Sequence, residues 1–141
     1  MTYPFEAALL DTSVAIKWFV TEEDSERALD LQQAHLRDDL QLYAPDVLLM
    51  ESANALRYAG LTEERILQDL GTFFALGVEI IPFSLDALNS AVTLSLEHDL
   101  AVYDAYFLAL AQAMEIPLIT ADRKMLSRLT AEDGALSLET L

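Results

Sequence analysis

Ala7-Ala8-Leu9-Leu10-Asp11-Thr12-Ser13 is the stretch that decides the fold. Four apolar residues in succession suit a short strand buried on both faces. The acid and two hydroxyls that follow suit the start of a helix. A buried strand that runs directly into a helix is the first half of a crossover unit, and such units build parallel sheets.

Outward from there, strand and helix signals alternate. A helix is predicted over Ser13 to Val20, and a more polar one over Asp24 to Leu36 after a capping box at Thr21 to Asp24. Gln41 to Ala44 reads as a strand. Pro45-Asp46 then opens a helix that ends near Gly60, since Pro suits a first helical turn and Gly the left-handed residue after the last. Thr62 caps the next helix, with Glu63 and Glu64 placed favourably for its dipole. Gly77 to Pro82 is a strand, Ser84 caps a helix to about His98, and Val102 to Met114 is another helix. Ile116 to Thr120 is a strand, a short helix follows Asp122, and Leu136 to Leu138 makes a final edge strand. The expected class is α/β, a three-layer α/β/α sandwich with a mainly parallel central sheet, in a single domain spanning 1–141.

Composition narrows the function. The 141 residues carry 8 Lys and Arg against 24 Asp and Glu, a net charge of −16. That excludes binding nucleic acid through a general basic surface. An apolar fraction of 53% excludes an acidic disordered tail. Without cysteine there is no disulfide, thiolate metal site or thiol catalysis. Glu6, Asp11 and Lys17 interrupt any secretory apolar segment, and no apolar run approaches the roughly 20 residues of a membrane span. A soluble, cytoplasmic chain is expected.

The acids at element ends carry the functional signal. Ligands of open α/β sheets bind beyond the carboxyl ends of the strands. Asp11 and Asp122 each follow a strand, so both should project at one edge. Asp104 falls in the first turn of a helix that is apolar on all sides, at the rim of a core. Glu51 interrupts the stripe Val47, Met50, Glu51, Asn54, Tyr58, while Leu49, Ala53 and Leu56 form a second stripe. A helix apolar on two sides should be covered on two sides, and a buried carboxylate needs a partner, a proton or a metal. Taken singly, the three aspartates read equally as helix caps or first-turn acids, and Glu51 as a partner of Arg57 or another arginine. Taken together, converging carboxylates repel by about 4 kcal/mol per pair at 4 Å and an effective dielectric of 20. Protonation or a divalent cation relieves that, and an all-oxygen site selects Mg2+ or Mn2+ and suits phosphodiester hydrolysis.

Four runs resemble the motifs of PIN-domain ribonucleases, in order and at fitting spacing over about residues 5 to 130. They are Leu10-Asp-Thr-Ser-Val-Ala-Ile-Lys-Trp-Phe19, Ala44-Pro-Asp-Val-Leu-Leu-Met-Glu-Ser-Ala-Asn-Ala-Leu56, Val102-Tyr-Asp-Ala-Tyr-Phe-Leu-Ala-Leu-Ala111 and Leu118-Ile-Thr-Ala-Asp-Arg-Lys-Met125. The subgroup most similar is the toxin half of VapBC-type toxin–antitoxin pairs. The resemblance implies a PIN fold and a Mg2+- or Mn2+-dependent endoribonuclease. It implies that Asp11, Glu51, Asp104 and Asp122 form the catalytic, metal-holding quartet, with Ser13, Asn54 and Thr120 in support. It further implies an RNA substrate, a homodimer, and a cognate antitoxin whose C-terminal segment blocks the site. The alternative reading is a catalytically silent interaction module on the same fold. A phospho-accepting receiver domain fails because only one acid follows the first strand. A dehalogenase-type phosphatase fails because Ser13 stands where a second aspartate is needed.

The remaining residues divide between surface and core. Lys17, Arg123 and Lys124 are the candidates for RNA contact, with Arg128 in the same basic cluster. Lys17 alternatively pairs with an acid of the quartet, the reading favoured here. Trp18, Phe19, Phe73 and Phe74 are expected in the core or a dimer interface. His35 and His98, in polar surroundings, are expected to be solvated.

Overall fold

A computed structural model describes residues 2–141. The apolar run at the start becomes β1 (Ala7–Leu10), whose last three residues are fully buried. The chain continues through α1 (Thr12–Ala15), α2 (Ser25–Leu36), β2 (Gln41–Pro45), α3 (Val47–Tyr58), α4 (Glu63–Ala75), β3 (Glu79–Ile81), α5 (Leu85–His98), α6 (Val102–Met114), β4 (Leu118–Thr120), α7 (Arg123–Ser127) and β5 (Ala135–Ser137). The five strands form one sheet in the order β3-β2-β1-β4-β5, with every pairing parallel. Helices flank the sheet in a three-layer α/β/α arrangement, as the alternating pattern predicts.

Strand order fixes where a ligand can sit. The chain steps outward from β1 to β2 and β3, then returns to place β4 on the other side of β1. The connections therefore diverge between β1 and β4, which opens a crevice at the carboxyl ends of those two strands. Leu9 pairs with Leu118 and Leu10 with Ile119, so the residues after both strands emerge side by side.

Helix α6 explains the depth of one wall. Ala105 to Ala111 are all buried, because α6 packs on β1 and β4 with one side and along α5 with another. Its apolar circumference needs both neighbours. Phe107, 1% exposed, is among the largest fully buried side chains, and burying one such ring is worth roughly 1.5–3 kcal/mol.

Several sequence expectations are corrected. The helix expected over 13–20 is only α1, followed by a tighter turn of 3-10 helix over Ile16–Trp18. The capping box at Thr21 to Asp24 does not form. Asp24 adopts a left-handed φ of 64° with no side-chain cap, and the Ser25 hydroxyl accepts from the Glu22 N–H instead. Pro45 ends β2 rather than opening α3, so the strand claims its fixed φ. Helix α3 is covered on one side only: Leu48, Ser52 and Leu56 are buried, while Met50 and Tyr58 are largely exposed. His35 is buried, not solvated. Its Nδ1 accepts from the Leu42 N–H at 3.2 Å and its Nε2 lies 3.0 Å from the Leu76 carbonyl, which assigns the Nε2–H tautomer. His98 is likewise half-buried, 3.4 Å from Asp133.

Trp18 stacks on buried Phe73 at 5.9 Å, and its indole N–H donates to the Ala28 carbonyl at 2.7 Å. These two rings and partly buried Phe19 meet the core expectation, whereas Phe74 is exposed. Among the described residues no helix is long and apolar enough to cross a membrane.

Candidate active site

Asp11 stands at the head of the crevice because β1 ends there. Its backbone is extended, and its N–H donates to the Ile119 carbonyl at 3.0 Å, which ties it to β4. Although it occupies the N-cap position of α1, its carboxylate does not cap that helix. Instead Oδ2 accepts from the Ser13 hydroxyl at 2.5 Å and from the Thr120 hydroxyl at 2.9 Å. An ionised carboxylate only accepts, so both hydroxyls donate to it. Ser13 Oγ accepts from the Ala121 N–H at 2.9 Å, and Thr120 Oγ1 accepts from the Asp122 N–H at 3.1 Å. Each hydroxyl therefore turns its own proton toward Asp11. Asp11 is only 7% exposed and Thr120 is fully buried, so this knot is rigid and nearly dry. Ser13 and Thr120, expected as supporting groups, both meet the Asp11 carboxylate.

The other three acids reach the crevice from separate elements. Asp104 lies in the first turn of α6, as expected, and is partly buried. Asp122 caps α7, accepting from the Met125 N–H at 3.0 Å, so its helix-cap reading also holds. Glu51 extends from α3, where its Oε1 accepts from the Thr12 hydroxyl at 2.6 Å. Arg57, the partner considered for it, instead stacks on Tyr58 at 4.7 Å.

Electrostatics link all four. Burial pushes the Asp11 carboxyl up; the Ser13 and Thr120 hydrogen bonds oppose that, and the charge of Asp122 adds to it. Burial likewise raises Glu51, against the Thr12 hydrogen bond and with the charge of Asp11. Asp104 is pushed up to about 6, first by burial and then by the charges of Asp11, Asp122 and Glu51. Three separate carboxylates raising a fourth is the signature of one shared negative field.

The rest of the sequence assignment is mixed. Asn54 is exposed on the outer side of α3 and joins nothing, which removes it from the supporting set. The i, i+3 spacing from Glu51 did put the two near each other on the helix, but α3 buries a different stripe. Lys17 does not pair with the quartet. Its ammonium donates to the Glu23 carbonyl at 2.6 Å and lies 3.4 Å from the Glu22 carboxylate. Arg123 bridges Glu23 at 2.9 Å and Glu139 at 3.2 Å. Lys124 lines a cavity with Asp104 and Asp122. Thr12 is the residue missed: it sits between two chosen positions, and its only clue was a hydroxyl at a helix start.

As a donor set the quartet offers carboxylate oxygens alone, which suits a hard divalent cation. Among the described residues no three Asp, Glu or His side chains close into a cage that could hold an ion.

Residues 8–131 match the PIN domain. Ribonuclease VapC3 of Pyrobaculum aerophilum is 30% identical over 130 residues, which cover 87% of this chain and 95% of that protein. A toxin–antitoxin complex from Klebsiella pneumoniae aligns with a TM-score of 0.68 and 25% identity, over 93% of this chain and 97% of that one. VapC20 of Mycobacterium tuberculosis, a toxin that cleaves the sarcin–ricin loop, shares the fold at a TM-score of 0.69 and 14% identity, over 85% and 93% of the two chains.

Proposed function

Because the chain belongs to the PIN-domain family, we propose that it is an endoribonuclease, the toxin of a VapBC-type toxin–antitoxin pair, and that Mg2+ or Mn2+ is its cofactor. The observation that carries the reading is the coupled quartet of Asp11, Glu51, Asp104 and Asp122 at the crevice between β1 and β4.

Asp11, Glu51, Asp104 and Asp122 are the residues that would hold the metal, Asp11 being the most deeply buried. A divalent cation bound there supplies a water of lowered pKa and an electrophile for a phosphate oxygen. Everything else falls to the chain. Ser13 and Thr120 hold the Asp11 carboxylate in one orientation, with hydroxyl protons already directed at it. Thr12 fixes Glu51, and the first turn of α7 fixes Asp122. Burial of Asp11 and Thr120 keeps bulk water from that end of the site, which strengthens the charge interactions of Asp11.

The cellular setting we infer is the cytoplasm, with a cognate antitoxin and a second copy of the chain as protein partners. Such partners need apolar contact surface, and Met50, Tyr58, Leu67, Phe74, Leu85 and Leu96 supply it, each more than half exposed. The net charge of −16 suits an antitoxin segment carrying Arg or Lys.

The test is cleavage of total and structured RNA in Mn2+, with a chelator control, by the wild type and by Asp11→Asn. Cleavage lost in the variant and in the chelator, with the far-UV spectrum unchanged, is the expected result. Undiminished cleavage by Asp11→Asn would remove the catalytic assignment. A wild type that never cleaves would return the chain to the silent interaction module.

A further inference from the structure

Four of the eight Lys and Arg residues line two cavities that share Asp122. One cavity, about 310 Å3, has Lys17 and Arg123 in its wall together with Glu23, Asp24, Asp122 and Glu139, and Asp24 faces Arg27 at 3.8 Å. The other, about 150 Å3, has Lys124, Arg128 and Asp104. Half of the chain's cations thus stand in two adjoining walls, among five carboxylates, and that gathering needs a reason. Holding the fold together is a poor one. The Arg123 ion pairs join exposed side chains, and pairs of that kind are worth only about 0.2–1 kcal/mol each.

The two cavities are not equally available. Arg123 is gripped by two carboxylates from distant parts of the chain, Glu23 before α2 and Glu139 after β5. Lys17 beside it is held by the Glu23 carbonyl and the Glu22 carboxylate. On the other flank Lys124 has no ion-pair partner among the described residues, and Arg128 reaches Asp99 on α5's terminus. A guanidinium with two carboxylates across a cavity wide enough for a phosphate is a site whose anion positions are filled by the chain itself.

Resting on the ribonuclease reading above, we propose that these two cavities seat phosphates of one RNA strand on either side of Asp122, and that Glu23 and Glu139 occupy Arg123 until phosphate displaces them. Phosphate competes well because it offers the same paired oxygens in one group, and the exposed pairs it replaces are weak. The arrangement reconciles an acidic chain with a polyanionic substrate: attraction is confined to the two flanks, and release is assisted by the glutamates that return.

The experiment is steady-state cleavage of a single-stranded RNA in millimolar Mn2+ over a salt series. Arg123→Ala should raise KM about tenfold, as expected for a lost charged hydrogen bond. It should leave kcat within about twofold and lower the log–log salt slope of kcat/KM by about 0.7, one phosphate contact on a single strand. The double variant Glu23→Gln/Glu139→Gln should lower KM by about 1.5- to 5-fold for each pair removed. Glu6→Gln/Asp38→Asn makes the same charge change at exposed positions before β1 and β2, the opposite edge of the sheet, and should leave KM unaltered. A wild type that cleaves RNA, with Arg123→Ala and the double glutamine variant kinetically unchanged, would overturn the two-cavity seat and leave the ribonuclease standing. An equal KM fall in both charge-matched pairs would overturn the competition by Glu23 and Glu139. A wild type without cleavage would overturn both readings.

Discussion

Asp104→Asn should make the metal-free chain more stable, by an amount that depends on pH. The Asp104 carboxyl is raised from 3.8 to about 6 by burial and by the charges of Asp11, Asp122 and Glu51. The folded chain thus takes up this proton at a higher pH than the unfolded chain. Below about pH 3.8 both states are protonated and the group contributes no penalty. As pH rises through 6, the folded state must carry a charge that the unfolded state carries freely, and stability falls. The shift converts at 1.36 kcal/mol per unit to a ceiling of about 3 kcal/mol. Solvent reaches this half-buried side chain, and screening reduces the figure to about 1–2 kcal/mol. A first-turn acid also gains about 0.3–1 kcal/mol from the helix dipole, which works the other way and favours the lower end. Urea unfolding of wild type and variant in chelator at pH 4, 5.5 and 7.5 reads Asp104 together with the acids coupled to it, because uncoupled titrating groups cancel in the difference. The gap should be near zero at pH 4 and reach about 1–2 kcal/mol in favour of the variant at pH 7.5, roughly 3–8 °C in Tm for this length. A gap independent of pH, or a variant less stable than wild type at pH 7.5, would refute the shared field of the quartet.

Three other outcomes follow from neighbouring contacts. Millimolar Mn2+ should raise the wild-type Tm by mass action and leave Asp11→Asn nearly unmoved in a melting curve; a wild type indifferent to Mn2+ contradicts the cofactor assignment. Thr12→Val removes the one side-chain hydrogen bond that the Glu51 carboxylate receives among the described residues and should cost about 10–100-fold in RNA cleavage with Tm nearly unchanged; full activity would show that Glu51 needs no orienting partner. His35→Leu strands the buried Leu42 N–H and the Leu76 carbonyl and should destabilise by about 1–3 kcal/mol for each, read as the urea midpoint; a neutral result would mean that His35 is not the tie between α2, β2 and the end of α4.

Much of this protein is written in short-range pattern. Apolar runs of four or five residues ending in turn signals gave the strands, and the alternation with helices gave a parallel sheet. Asp11 and Asp122 were placed on one edge because each directly follows a strand, and strands in a parallel sheet end on the same side. Asp104 was legible because the residues after it are apolar in every direction, so the start of that helix had to meet the core. These readings need only the periods of strand and helix, which a sequence carries in full.

What required the folded chain is every contact made across elements. Thr12 meets Glu51 over 39 positions because α1 packs on α3, and no local pattern encodes that approach. The apolar stripes read for α3 ran through Val47, Met50 and Tyr58 and through Leu49, Ala53 and Leu56. Packing against α1, α4 and β2 instead buried the line Leu48, Ser52 and Leu56, and turned Asn54 to solvent. Lys17 lies six positions beyond Asp11, and the turn of 3-10 helix after α1 carries it to Glu22 and Glu23. His35 looks solvated among polar neighbours until β2 and the end of α4 close over it. The sequence alone determined which residues lie on strands, helix starts and apolar faces, since those follow from backbone periodicity. Only the tertiary structure decided which faces meet, because burial of a face depends on the shape and charge of the element laid against it.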